Sequence, residues 1–259
     1  MDIIIVISLL FAFTSLILGF LLEGGTLRAL FQLTALIIVF GGTIGAVGIS
    51  FPINILKKFP RVLAVAFKKR ESKIKENIIY FKDIASKTRR EGLLSIESEI
   101  SNNSSIDPFI KKGLQMVVDG IEQSTIKSIL ETKLEQISER HDEGIEMFSA
   151  AGGYAPTMGI IGTVMGLVQV VGNLSDPMAL GPKIAAAFMA TLYGIASANL
   201  LWLPIANKLK VLDREEINEK SMVIEAILLI QQGSNPNTLV SKLEGYLTDN
   251  QSKFFEKDY

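Results

Sequence analysis

Two long uncharged stretches of this sequence carry the oxygens that could do chemistry. They hold the hydroxyls of Thr157, Thr163 and Thr191, the amide of Asn199, and the carbonyls that Pro156 and Pro204 leave without a backbone donor. Such oxygens could line a path for a small cation. The same groups have a plainer use, as helix-internal hydrogen bonds of Thr and as kinks at Pro. Neither 148–171 nor 184–206 contains Asp, Glu, Lys, Arg or His, although a proton relay or ion site at membrane depth ordinarily needs such a group. If ions pass, the titrating group must come from another chain. With no Cys and one His, the sequence offers no disulfide, thiolate nucleophile, iron–sulfur cluster or histidine metal cluster. His141 lies in the charged run Glu139-Arg-His-Asp-Glu143 and is expected to be solvated. No base, nucleophile pair or ligand set lies within reach of the membrane face, so neither an enzyme nor a bound cofactor or metal is expected.

The elements that must position these residues follow from composition. The 259 residues are 48% hydrophobic and 20% charged, with a mean hydropathy of +0.35. That is too apolar for an ordinary soluble domain of this length. A net charge of -1 leaves no basic excess for a nucleic-acid backbone. The uncharged run Ile3 to Leu22 has the ~20 residues needed to cross a hydrocarbon core of about 30 Å. Asp2 stands where a signal peptide would be basic, so this helix is expected to be retained. A second run extends from Ala29 to about Phe51, where Pro52 breaks it; a third runs from Phe148 to Val171 and a fourth from Ile184 to Ala206.

The chain therefore reads as all-α, a polytopic membrane protein with four transmembrane helices and a helical cytoplasmic domain. Its expected parts are a hairpin over 1–51, a helical block over 52–147, a second hairpin over 148–206 and a helical tail over 207–259. In the block, Ile74, Ile78, Phe81, Ile84 and Ala85 recur at helical spacing within 72–89, and Leu114, Val117, Val118 and Ile121 repeat the pattern. The segment 102–108 reads as a loop with a helix start. Residues 124–147, with Ile126, Ile129, Leu130, Leu134 and Ile137, read as one long helix leading straight into the third span.

Basic residues set the expected orientation. Lys57, Lys58, Arg61, Lys68, Lys69, Arg70, Lys73 and Lys75 follow the second span, and Lys208, Lys210 and Arg214 follow the fourth, against only Arg28 and Lys183 on the other face. Both polar segments, and with them both termini, are expected to be cytoplasmic. Between Lys57 and Arg90 there are 12 basic and 3 acidic residues, and between Glu91 and Glu146 there are 5 basic and 12 acidic. Two oppositely charged stretches suit helices that pack on each other or meet a charged partner. Small residues line three spans: Gly41, Gly42, Gly45 and Gly48; Gly159, Gly162 and Gly166; and Ala186, Ala190, Gly194 and Ala198. They let helix backbones approach closely, and their presence on three of four spans favours multiple helix partners, some supplied by other, identical chains.

Three motifs carry a family resemblance. The fourth span's Ala187-Phe-Met-Ala-Thr-Leu-Tyr-Gly194, followed ten residues later by Pro204, resembles the MotA/PomA family, the A subunits of the bacterial flagellar stator. Pro156-Thr-Met-Gly-Ile-Ile-Gly-Thr-Val-Met-Gly166 is similar to that family's third helix, and Arg89-Arg-Glu-Gly-Leu-Leu-Ser-Ile-Glu97 to its rotor-facing segment. The resemblance implies a homopentamer in the inner membrane around two copies of a MotB-like B subunit, whose single membrane helix brings the missing Asp. Ion flow would turn A around B and push on the FliG ring of the rotor. By motif position Arg89 and Glu97 are expected to contact the rotor, Pro156 and Pro204 to flank the ion path, and Thr191 and Phe188 to face the B-subunit helix. The expected ion is H+. Na+ is the alternative, because Thr163 stands where sodium-driven members have Thr and a hydroxyl suits that ion. A TolQ/ExbB-type energiser is the rival reading, but such chains resemble three-span proteins. A secondary transporter would want paired inverted repeats, which the two hairpins lack.

Overall fold

The computed structural model describes residues 2–102, 106–172, 174 and 177–247. The loop expected over 102–108 and the end of the expected tail therefore lie partly outside the described residues. The helices are α1 (Ile3–Leu22), α2 (Leu33–Ser50), α3 (Ile53–Leu56), α4 (Phe59–Ala66), α5 (Ile74–Glu91), α6 (Glu97–Asn102), α7 (Pro108–Val118), α8 (Gln123–Val171), α9 (Pro177–Ser197), α10 (Leu203–Gln231) and α11 (Pro236–Leu243). No strand occurs among the described residues. Four helical stretches are long and apolar enough to cross a membrane: α1, α2, the apolar part of α8, and the run from α9 into α10. The described residues divide into two compact units, 2–69 with 141–211 and 70–140 with 212–247.

In the first unit α1 buries none of its side chains, and residues such as Ile4, Phe11 and Leu22 stand 75% or more exposed. So large an apolar surface needs lipid or other protein against it. Its N-terminus is tied down. Asp2 caps the helix by accepting from the Ile4 N–H, its own N–H donates to Phe67 O at 2.8 Å, and its carboxylate meets Lys208 Nζ at 3.0 Å. The hydrogen bond from Lys208 holds the Asp2 carboxyl below its usual range. The membrane-side core gathers Ile145, Met147, Phe148, Ile205, Ala206 and Leu209, with the rings of Phe59 and Phe148 stacked at 5.0 Å.

The second span begins at Leu33, four residues later than its composition suggests. The reason is Tyr193 on α9, whose hydroxyl accepts from the Gln32 N–H at 2.9 Å and donates to Leu30 O. That contact holds the chain in a non-helical entry, with Gln32 at φ -127 and ψ 101. Further along, Ile37–Gly41 is π-helical. At its other end the helix stops where Phe51 and Pro52 turn extended, as a Pro dictates.

The second unit is an ordinary amphipathic packing problem. Ile74, Ile78, Phe81, Ile84 and Ala85 of α5 are all buried, against Leu114 and Val117 of α7, Ile126 and Leu130 of α8, Ile227 and its neighbours of α10, and Leu239 of α11. Asp107 caps α7 by accepting from the Phe109 N–H at 2.7 Å, with Pro108 at the first helical position. Ile129 departs from the expected stripe and stands 40% exposed. At 3.6 residues per turn it lies beside Leu130 rather than beneath it. The Arg70 guanidinium binds Glu216 at 3.1 Å, Glu219 at 3.3 Å and Leu212 O at 3.0 Å.

Candidate functional site: the seam between two spans

The expected close approach of small residues occurs within this chain. A methyl built on Gly159 would lie 2.8 Å from Ala190 O, and one on Gly194 would lie 2.5 Å from Ala155 O. Both clashes are with backbone, which cannot swing away, so only glycine admits α8 and α9 at this distance. Gly162 and Gly166 likewise face Ala190 and Ala187. Gly159, Gly162, Gly166 and Gly194 on the third and fourth spans thus serve the intrachain hairpin. Each helix's small face is the other's partner, and the pairing could not be told from one stripe alone. Of the second span's glycines, Gly42 meets the Met158 side chain, while Gly41, Gly45 and Gly48 have open space.

At this seam Thr163 and Thr191 meet. Their hydroxyl oxygens are 2.5 Å apart, and Thr163 Oγ1 lies within reach of Ala187 O at 2.9 Å and Gly159 O at 3.1 Å. A hydroxyl has one proton. If Thr163 donates to Ala187 O, Thr191 donates to Thr163, and the Thr191 oxygen keeps its lone pairs. Four oxygens therefore converge in a segment that carries no charge, which suits a small cation or an oriented water. Both threonines are half-buried.

The other expected residues fall in different places. Pro156 belongs to the seam: it lies inside an unbroken α8, and its Cα would be 3.2 Å from a methyl on Gly194. Phe188, 61% exposed, precedes Thr191 by three residues and so shares its side of α9. Pro204 is not brought to the seam. It lines an apolar groove of about 280 Å³ with Asn199, Ile205, Ile5, Leu9 and Ala12. Ahead of it Ala198–Trp202 is π-helical, the Leu203 N–H reaching back five residues to Ala198 O. The wider turn absorbs the donor that Pro204 lacks. Thr157 and Asn199 take the plainer role, donating to Tyr154 O at 2.7 Å and Ile195 O at 2.9 Å within their own helices. His141 is half-buried rather than solvated.

In the second unit Arg89, Arg90 and Glu97 are all exposed, and among the described residues none of them has an ion-pair partner. Arg89 and Arg90 occupy the last turn of α5 and Glu97 the first turn of α6. Each sign suits the helix dipole where it sits. Close by, Lys87 and Glu99 pair at 3.0 Å. Tyr80 is pushed up to about 12 by burial, with the Glu99 charge adding to it. Tyr193 is the residue that sequence reasoning missed. Its sign was a phenol within an apolar span, where an unpaired hydroxyl is costly.

The chain matches the model of the MotA/TolQ/ExbB proton channel family over residues 101–222 and that of the motility protein A N-terminal region over residues 6–92. It is 39% identical to motility protein A of Bacillus subtilis over 242 residues, 93% of this chain and 89% of that one. Its structure is similar to the flagellar MotAB stator complex from Bacillus subtilis, with a TM-score of 0.90 and 38% identity over 96% of this chain and 98% of the other. It is equally similar to C. jejuni MotAB, with a TM-score of 0.90 and 32% identity over 96% of this chain and 97% of that one. With four helices of membrane-crossing length and agreement along nearly its whole length, the chain belongs to the MotA/PomA group of the MotA/TolQ/ExbB proton channel family.

Proposed function

We propose that the chain is the A subunit of a flagellar stator, converting ion flow across the inner membrane into torque on the rotor. The observation that carries this is the likeness to a MotAB stator complex over 96% of the chain. The absence of any Asp, Glu, Lys, Arg or His in 148–171 and 184–206 gives the reading its chemistry. A B subunit of the MotB kind, bearing one intramembrane Asp, supplies the carboxylate, and five copies of this chain surround two of that helix. Thr191 and Phe188 face it. The Thr163–Thr191 pair offers oxygens beside the Asp as it loads and releases its ion, and Pro156 fixes the backbone next to them. Pro204 shapes the ion path from the groove it lines. H+ is the coupling ion in this reading, with Na+ favoured instead if the Thr163 oxygen joins its coordination shell.

In the same reading 52–147 and 207–259 form the cytoplasmic parts, flanking membrane hairpins over 1–51 and 148–206, with both termini inside. Arg89 and Glu97 then act on FliG. Cells lacking their own A subunit test the proposal directly. Expression of this chain with its B subunit is expected to restore swimming, and the two should co-purify as one oligomer from detergent. A chain that stays monomeric beside the B subunit would contradict it.

A further inference from the structure

α1 is tied to its neighbours at its N-terminal end, where Asp2 binds Lys208 at 3.0 Å and Phe67 O at 2.8 Å. Beyond that tie it lies against the π-helical segment Ala198–Trp202 but buries none of its side chains. The groove of about 280 Å³ that Pro204 lines is the space left between them. Its two walls match. Ile5, Leu9 and Ala12 stand on one side and Leu201, Ile205 and Lys208 on the other, each set at i, i+4 and i+7 and so one stripe of helix about 10 Å long. The result is a slot along the two spans, covering about two-thirds of one leaflet of a ~30 Å hydrocarbon core. Of the residues lining it only Lys208 is charged. Its ammonium has three donors and gives one to Asp2, and its side chain is 33% exposed. Phe67 closes the same end. Lys68, which follows it, is exposed and has no ion-pair partner among the described residues.

We propose that this groove binds one anionic phospholipid, with an acyl chain between α1 and the Leu201–Lys208 stretch and the phosphate at Lys208 and Lys68. The inference goes beyond the stator reading and takes from it only that this end is cytoplasmic. Shape and charge select the occupant. Walls that touch along the π-helical segment and are joined at Asp2–Lys208 leave no room for a further helix about 10–12 Å across. A single hydrocarbon chain fits, and it restores the dispersion contacts that an empty apolar slot forfeits on both walls. At the rim two ammonium groups outnumber one carboxylate, which favours an anionic headgroup over a zwitterionic one. The groove shares no lining residue with the Thr163–Thr191 seam, so a lipid here backs the Pro204 turn and leaves the seam oxygens free.

Trp202 is the only tryptophan of this chain and adjoins Leu201 of the groove wall, so its fluorescence reports a brominated acyl chain lying there. The complex of this chain with its B subunit is placed in phosphatidylcholine vesicles carrying a minor fraction of phosphatidylglycerol, with the bromine on one lipid or the other. Brominated phosphatidylglycerol should quench severalfold more than the same fraction of brominated phosphatidylcholine. Lys208→Gln should abolish that excess and Lys208→Arg keep it. Ala12→Phe, which fills the slot with an apolar ring, should also abolish it. Asp2→Asn breaks the tie but spares the cations, and it should keep the excess. Equal quenching by the two lipids in wild type overturns the inference, since the groove is then filled by bulk lipid or by protein. Excess quenching that survives in Ala12→Phe, or that is lost in Asp2→Asn or Lys208→Arg as fully as in Lys208→Gln, overturns it too. A chain that passes this test and fails to restore swimming would overturn the stator reading alone.

Discussion

Thr163 and Thr191 sit 2.5 Å apart in a segment without charge, and that arrangement separates a packing role from an ion role. Thr191→Val removes one hydroxyl at nearly constant volume and leaves Thr163 with Ala187 O and Gly159 O to donate to. The fold should tolerate it. We expect most motility to be lost while the complex still assembles; full swimming speed would return Thr191 to a packing role. Thr163→Ala leaves the Thr191 hydroxyl free to turn toward the carbonyl one helical turn back, Ala187 O. In a sodium-driven motor this variant should lose activity or sodium dependence, and in a proton-driven motor it should change little, read as swimming speed against external sodium at fixed pH. The seam glycines predict the opposite outcome. Gly194→Ala drives a methyl against Ala155 O and should destabilise the hairpin by about 1–3 kcal/mol, measured by thermal unfolding in detergent. Gly45→Ala, with open space around it in the same chain, is the control that should not.

Elements were legible where a local pattern decides them. The stripe Ile74, Ile78, Phe81, Ile84 and Ala85 is buried in full because an amphipathic helix has one way to hide it. Asp107 and Pro108 likewise mark a helix start by local chemistry. The start of the second span was not legible, since it depends on Tyr193, 161 residues away from Gln32 in sequence. The partner of the small-residue stripes was also hidden: spacing announces close approach without saying to what. Asp2 gives a test at this scale. Its carboxyl is held below the usual range by Lys208, so its contribution is present at neutral pH and fades as pH falls through that lowered value. Wild type should therefore melt above Asp2→Asn at neutral pH, and the difference should close in acid. A gap that persists at low pH would mean the ion pair is not its source.

For the whole molecule, the sequence's charge sorting and its uncharged spans point to one division of labour. In the stator reading proposed above, this chain supplies oxygens, shape and an exposed charged turn, and the second subunit supplies the titrating carboxylate. Because Arg89 and Glu97 are exposed and lack ion-pair partners among the described residues, each should act as part of a distributed patch with a partial effect. Reversing both, Arg89→Glu with Glu97→Lys, should impair swimming and leave membrane assembly intact; lost assembly would mark them as structural. The most direct measurement of the division itself is swimming speed in cells lacking both native stator subunits, supplied with this chain alone, with the B subunit alone, with both, or with this chain and a B subunit whose intramembrane Asp is replaced by Asn. We expect swimming only when both unaltered subunits are present, whereas swimming supported by this chain alone, or with the Asn-bearing B subunit, would contradict the claim that the charge comes from the partner.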